Sequence, residues 1–172
     1  MIKRAVVLLF AAAAVAGLTR SASAQSTVGV RAGFDTEFSA LVLGAETRFP
    51  INRIEDFPLT ANPSFEYYLI DRYPNLAETM VEVNGNAYYE FELEDEEQLT
   101  PYAGAGLGLR YYGVEETALP DPPEEGLDLI VNVVGGAAYQ IDQPFRPFGH
   151  LRLSLGGGTS TVALVAGLLF EL

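Results

Sequence analysis

The amino-acid sequence predicts an all-β protein, an eight-stranded antiparallel transmembrane β-barrel that follows a cleaved signal peptide. Three observations predict it. The chain opens on a three-part export leader. The remainder alternates with a period of two through eight runs separated by turn residues. One face of those runs is apolar, and the other carries glycine and full charges.

The leader begins with basic Met1-Ile2-Lys3-Arg4, continues through an apolar run from Ala5 to Leu18, and ends on Ala22-Ser23-Ala24. Basic start, apolar middle and small-residue A-x-A end are the parts of a secretory signal peptide. The apolar run has 14 residues, short of the ~20 that a helix needs to span hydrocarbon. Cleavage is expected after Ala24, leaving residues 25–172 as one domain. Residues 1–24 are set aside from the fold.

Composition narrows the functions. The chain has no cysteine, so an exported domain must hold together without disulfides. Its single lysine, Lys3, lies in the leader; residues 25–172 keep seven arginines against 23 acids, a formal charge of −16. That excludes nucleic acid as a partner, because phosphates need a basic face. A 49% apolar content with ten Phe and nine Tyr excludes a disordered acidic chain. After the leader no stretch is long and apolar enough for a membrane helix, but barrels escape that criterion because their apolar residues only alternate.

The strands follow in order. Thr27 to Asp35 sets Val28, Val30, Ala32 and Phe34 against Gly29, Arg31, Gly33 and Asp35. Ala40 to Phe49 sets Leu41, Leu43, Ala45 and Phe49 against Gly44, Glu46 and Arg48. Leu59 to Leu69 opposes Leu59, Ala61, Phe65 and Tyr67 to Asn62, Ser64, Glu66 and Tyr68. Met80 to Leu93 opposes Val81, Val83, Ala87, Tyr89 and Phe91 to Glu82, Asn84, Asn86 and Tyr88. Pro101 to Tyr112 is glycine-rich, with Ala103, Ala105, Leu107 and Leu109 against Tyr102, Gly104, Gly106, Gly108 and Arg110. Leu127 to Ile141 sets Leu129, Val131, Val133 and Tyr139 against Asp128, Asn132 and Gly136. Phe145 to Leu155 sets Leu151, Leu153 and Leu155 against Arg146, His150, Arg152 and Ser154. Thr161 to Leu172 sets Val162, Leu164, Ala166, Leu168 and Phe170 against Gly167 and Glu171. Tilted strands of ~9–11 residues suffice to cross a bilayer, and bacterial single-chain barrels have an even strand count.

The direction of the faces decides between membrane and soluble barrels. A soluble barrel is apolar inside; a membrane barrel is apolar outside and polar inside. Glycines on a water-exposed strand face would weaken the sheet without return, whereas in a narrow lumen they make room beside large side chains. Aromatics near the strand ends (Phe34, Phe49, Tyr67, Tyr89, Phe91, Tyr111, Tyr139 and Phe170) suit interfacial girdles. With both termini periplasmic, the periplasmic turns are 50–57, 94–99 and 142–144, and the outer loops are 36–39, 71–78, 113–126 and 156–160.

Several of these strands carry a resemblance. Thr100-Pro101-Tyr102-Ala103-Gly104-Ala105-Gly106-Leu107-Gly108 resembles the PYxGxGxG strand of outer-membrane β-barrel domain proteins of the outer membrane protein A and X type. Val134 to Tyr139, then Pro147 to Arg152, and the closing Leu168 to Leu172 resemble later strands of that family. The resemblance implies an eight-stranded barrel in the bacterial outer membrane, in contact with outer-membrane lipid and delivered by periplasmic chaperones to the barrel-assembly machinery. It implies no cofactor.

Three candidate sites stand out. Inward Arg31, Arg48, Arg110, Arg146 and Arg152 are expected to pair with inward Glu46, Glu66, Glu82 and Asp128. An eight-stranded interior is just wide enough for side chains, so these charges read as a plug before they read as a selective pore. His150, Ser154 and Glu171 offer the residue types of the deacylases that cleave acyl chains from lipid A in barrels of this size. The H-x-S spacing of that class is missing, because Arg152 stands in the serine's place, and residues four apart on a strand lie ~13 Å apart. Glu115, Glu116, Asp121, Glu124 and Glu125 form an acidic outer loop without the spacing of a calcium site. The expected protein is a monomeric, non-enzymatic outer-membrane barrel with a structural or loop-mediated role. A lipid A-modifying hydrolase and a soluble periplasmic binding barrel are the alternatives.

Overall fold

The structure, a computed structural model, describes residues 26–51, 59–70, 79–93, 96, 98–113 and 126–172. The expected cleavage site, the third outer loop with its acids, and most of the connections at 52–58 and 71–78 lie outside the described residues.

Eight strands run in chain order: β1 (Thr27–Asp35), β2 (Ala40–Ile51), β3 (Leu59–Leu69), β4 (Thr79–Glu90), β5 (Leu99–Gly113), β6 (Gly126–Tyr139), β7 (Phe145–Gly156) and β8 (Thr159–Glu171). Each pairs antiparallel with the next, and β8 returns to β1, so the sheet closes on itself. The closing seam runs through nine residue pairs, from Thr27 with Glu171 to Asp35 with Ala163. Closure satisfies the edge groups that an open sheet would expose.

Turn chemistry ends the strands. After β1, the Asp35 carboxylate accepts the backbone N–H groups of Glu37 and Phe38 at 3.1 Å each, and Ser39 turns the chain with φ of 47°. Gly156, which ends β7, and Gly157 and Gly158, which connect it to β8, are all at positive φ. Gly157 is required twice over, since a Cβ there would also lie 2.2 Å from the Asp128 carboxylate. The alternation predicts the strands to within three residues at each end, with two shifts worth a reason. Pro50, expected to open a turn, still pairs with Thr60, two residues past Arg48, the last residue of β2 that β1 pairs, where the strand has an open side. Conversely β4 stops at Glu90 rather than Leu93.

Outward side chains are aliphatic along the wall: Leu164 is 61% exposed, Leu129 62% and Val30 56%. Inward parity carries the charges. The interior is not polar throughout, however. Tyr88, Tyr102, Val134, Ala138, Phe148, Ala163, Val165 and Leu169 form one buried apolar cluster, which reaches from Leu169 near the termini to Val134 and Ala163, the two register neighbours of Arg152. At the opposite end, Ala40, Val42, Tyr68 and Met80 form a second, against which Phe38, Ile70 and Tyr112 pack. Charges and apolar clusters therefore share the lumen, with Arg48 and Arg152 lying directly against members of the first cluster.

Candidate functional site

Seven charged side chains form one unbroken chain through the lumen. Arg48 Nε bonds Glu46 at 2.7 Å, and Glu46 accepts Arg31 Nη1 at 3.0 Å. Arg31 Nη2 reaches Glu66 at 2.9 Å, and Arg152 binds the other oxygen of Glu66. Arg152 continues to Glu82 at 3.3 Å, which holds Arg110 Nε at 2.5 Å. The chain thus runs from β2 near the termini to β5 near the far end, with four arginines and three glutamates. Their side chains are between 0% and 5% exposed. Buried charge is costly unless paired and hydrogen-bonded, and here each carboxylate bridges two guanidinium groups.

Neutral groups complete the arrangement. Arg31 donates to Ser64 Oγ at 2.8 Å, and Arg152 to Tyr68 Oη at 3.0 Å. Beside the charges lies an amide cluster: Asn132 donates to Asn84 Oδ1 at 2.7 Å, Ser154 to Asn132 Oδ1 at 2.8 Å, and Tyr88 to Asn62 Oδ1 at 2.7 Å. Gly108 lets this cluster close, because a Cβ at that position would fall 2.1 Å from Asn84 Oδ1. Each end of the charge chain meets aromatic rings. The Arg48 guanidinium carbon sits 4.6 Å from the Tyr102 ring, 4.7 Å from Phe148 and 5.3 Å from Tyr88. Arg110 lies 5.1 Å from the ring of Phe38, which the β1–β2 turn folds inward.

Of the nine charged residues that the sequence assigns to a lumen network, the structure brings these seven together and leaves two apart. Arg146 faces inward near the termini, but forms no ion pair with a described residue and its buried Nε has no hydrogen-bond partner among them. Asp128 is the register neighbour of Arg110 on β6, yet Arg110 has a second register neighbour, Glu82 on β4, and binds that longer side chain instead. Arg146 and Asp128 thus stand outside the ion-paired chain that the sequence assigns them to. Tyr68, Tyr102, Ser64 and the four asparagines Asn62, Asn84, Asn86 and Asn132 were not singled out from sequence as members. Their signal was parity, since each shares a face with the inward charges.

The hydrolytic candidates are not assembled. His150 is 3% exposed and Ser154 1% exposed, both inside the lumen. Ser154 donates to Asn132, His150 Nδ1 lies 3.1 Å from Tyr102 Oη, and Glu171 is exposed at the seam beside Thr27. Among the described residues no group of three or more His, Cys, Asp or Glu could hold a metal.

No family model matches the sequence, and no curated protein is significantly similar to it. Solved structures are similar in shape. The N-terminal β-barrel domain of Pseudomonas aeruginosa OprF superposes with a TM-score of 0.62 at 16% identity, over 86% of this chain and 100% of that one. The chain has the fold of the eight-stranded outer-membrane β-barrels. Neisserial surface protein A gives 0.61 at 14% identity, over 86% of this chain and 94% of its own. The outer membrane enzyme PagL gives 0.52 at 10% identity, over 85% and 99%. At these identities the outer-membrane barrel fold is what is shared; the neighbours' activities are not transferred by it.

Proposed function

We propose that this protein is a non-enzymatic bacterial outer-membrane β-barrel, exported by residues 1–24, with a role that is structural or exercised through its outer loops. One observation carries the reading: the polarity of the molecule is inverted. Arginines and glutamates are buried in the lumen while leucines and valines cover the wall. Soluble monomers rarely expose continuous apolar area beyond a few hundred Å², so the wall suits lipid and argues against the soluble periplasmic alternative. The barrel acts as a monomer, inserted by the barrel-assembly machinery with periplasmic chaperones, and its paired side chains plug the lumen.

The hydrolase alternative has support from the fold it shares with PagL. Against it, His150 and Ser154 face the lumen, away from the lipid acyl chains such an enzyme would cleave. Two measurements test the reading. The protein should fractionate with outer membranes and shift in gel mobility on boiling; release by osmotic shock without a shift would overturn the membrane assignment. Mass spectrometry of lipid A with and without the gene should show unchanged acylation; a lost or gained acyl chain would make it an enzyme.

A further inference from the structure

The sequence holds one Asn-Gly pair, Asn84-Gly85, and the structure places it in the middle of β4. Asparagine is chemically labile, most of all before glycine, whose backbone nitrogen no side chain hinders. That nitrogen attacks the side-chain carbon Cγ of the asparagine. The new C–N bond closes a succinimide ring, and ammonia leaves. Water then opens the ring at either carbonyl. One product is aspartate. The other is isoaspartate, in which the main chain runs through the former side chain and gains one carbon.

The closed barrel blocks the first step. Attack requires the Gly85 N–H to leave its ladder partner, lose its proton and swing onto Asn84 Cγ. Gly85 stands opposite Pro63 on β3 and Leu107 on β5, so its backbone is held in the sheet from both sides. The Asn84 side chain is held as well. Asn84 is 1% exposed, its Oδ1 accepts Asn132 Nδ2 at 2.7 Å, and its Nδ2 donates to Glu82 Oε2 at 3.5 Å. None of these restraints exists before β4 is paired.

Both products are incompatible with the site. Aspartate at this position replaces the group that donates to Glu82 by a second carboxylate oxygen, a buried contact between like charges. Isoaspartate lengthens the main chain by one atom, so the peptide groups that follow fall out of step with their partners on β3 and β5. The glycine, by contrast, is not needed by the closed sheet. A Cβ at Gly85 meets no atom within 4 Å, and its φ is not positive.

We propose that Asn84-Gly85 is a self-modification site, silent in the closed barrel and active in the unclosed chain, where its conversion to aspartate or isoaspartate ends the capacity to fold. It limits how long an unclosed chain remains competent. The inference concerns the chain before closure and is independent of where in the cell the barrel resides.

The test stores the full chain unfolded in guanidinium chloride at neutral pH and, in parallel, folded in zwitterionic detergent. At intervals each sample is digested, and the peptide containing residue 84 is read by mass spectrometry for the amide-to-acid mass gain. Stored unfolded chain is also transferred to detergent and scored for the gel band that shifts on boiling. The unfolded chain should convert, and its refolding yield should fall in step. Conversion in the folded barrel should be at least about tenfold slower, a protection that 1.4 kcal/mol of local stability provides. Gly85→Ala, which the closed sheet accommodates, should fold like the parent and keep its refolding yield on storage. Equal conversion in folded and unfolded samples would overturn the protection. Converted chains recovered in the folded band in the proportion supplied would overturn the block on folding. A Gly85→Ala chain that loses yield as fast as the parent would place the loss elsewhere and overturn the assignment to this pair.

Discussion

The lumen and the outer wall are built from the same eight strands on opposite principles. In the lumen the charged chain is built on specific partners: Glu66 serves Arg31 and Arg152, and Glu82 serves Arg152 and Arg110. On the wall Leu164, Leu129 and Leu153 are exposed, and under the proposed function they need only be apolar, because lipid accommodates any shape of that chemistry. The contrast teaches that identity is fixed where partners are fixed, and that the wall is specified by class alone. Substitutions should therefore separate the two regions by size and by sign.

The largest effect is expected from Glu66→Ala, which takes one of two carboxylate partners from each of two buried guanidinium groups. Loss of one partner of a buried pair costs about 3–5 kcal/mol, read as a fall in the denaturant midpoint of the folded barrel in micelles. A stability unchanged to within error would show that the charge chain does not hold the lumen together. Next comes Leu164→Arg on the wall. An arginine on the lipid face near the midplane costs about 2–4 kcal/mol, and the penalty should shrink in detergent relative to a bilayer. If the two environments give the same value, the wall does not face hydrocarbon. A smaller loss, about 1–2 kcal/mol for a deleted buried hydroxyl, is expected for Tyr102→Phe, measured by the same unfolding transition. It should be non-additive with Arg48→Gln, because the two share a hydrogen bond of 3.2 Å. The smallest effect belongs to Leu153→Val, within about 0.5 kcal/mol; a larger loss there would mean that the wall is specified in shape after all.

The same division explains what was legible in the sequence. Period two assigns each residue to a face, and turn residues end the runs, so strands such as Thr27–Asp35 and Leu59–Leu69 are read to the residue. Partner choice is not periodic. Arg110 has acids as register neighbours on both sides, Glu82 and Asp128, and only side-chain length and the position of the β7–β8 turn decide between them. Inward apolar residues were also hidden. Val165 and Leu169 lie on a strand whose two faces are both aliphatic, so alternation carries no contrast there. That Val134 and Ala163 flank Arg152 emerges only when the strands are set in register.

The seam between β1 and β8 has a consequence in time. Thr27 and Glu171 are neighbours in the sheet but stand at opposite ends of the eight-strand sequence. Pairing at such sequence separation is slow, because the loop must close before the contact returns any free energy. Until it forms, the sheet has two open edges, each able to recruit a strand from another chain. The barrel thus cannot close before its last strand is in place; the first strand must wait for it. Slow, single-step closure with aggregation from the unclosed state is the expected refolding behaviour, and a helper that covers a free edge would act at this seam before any other place in the molecule.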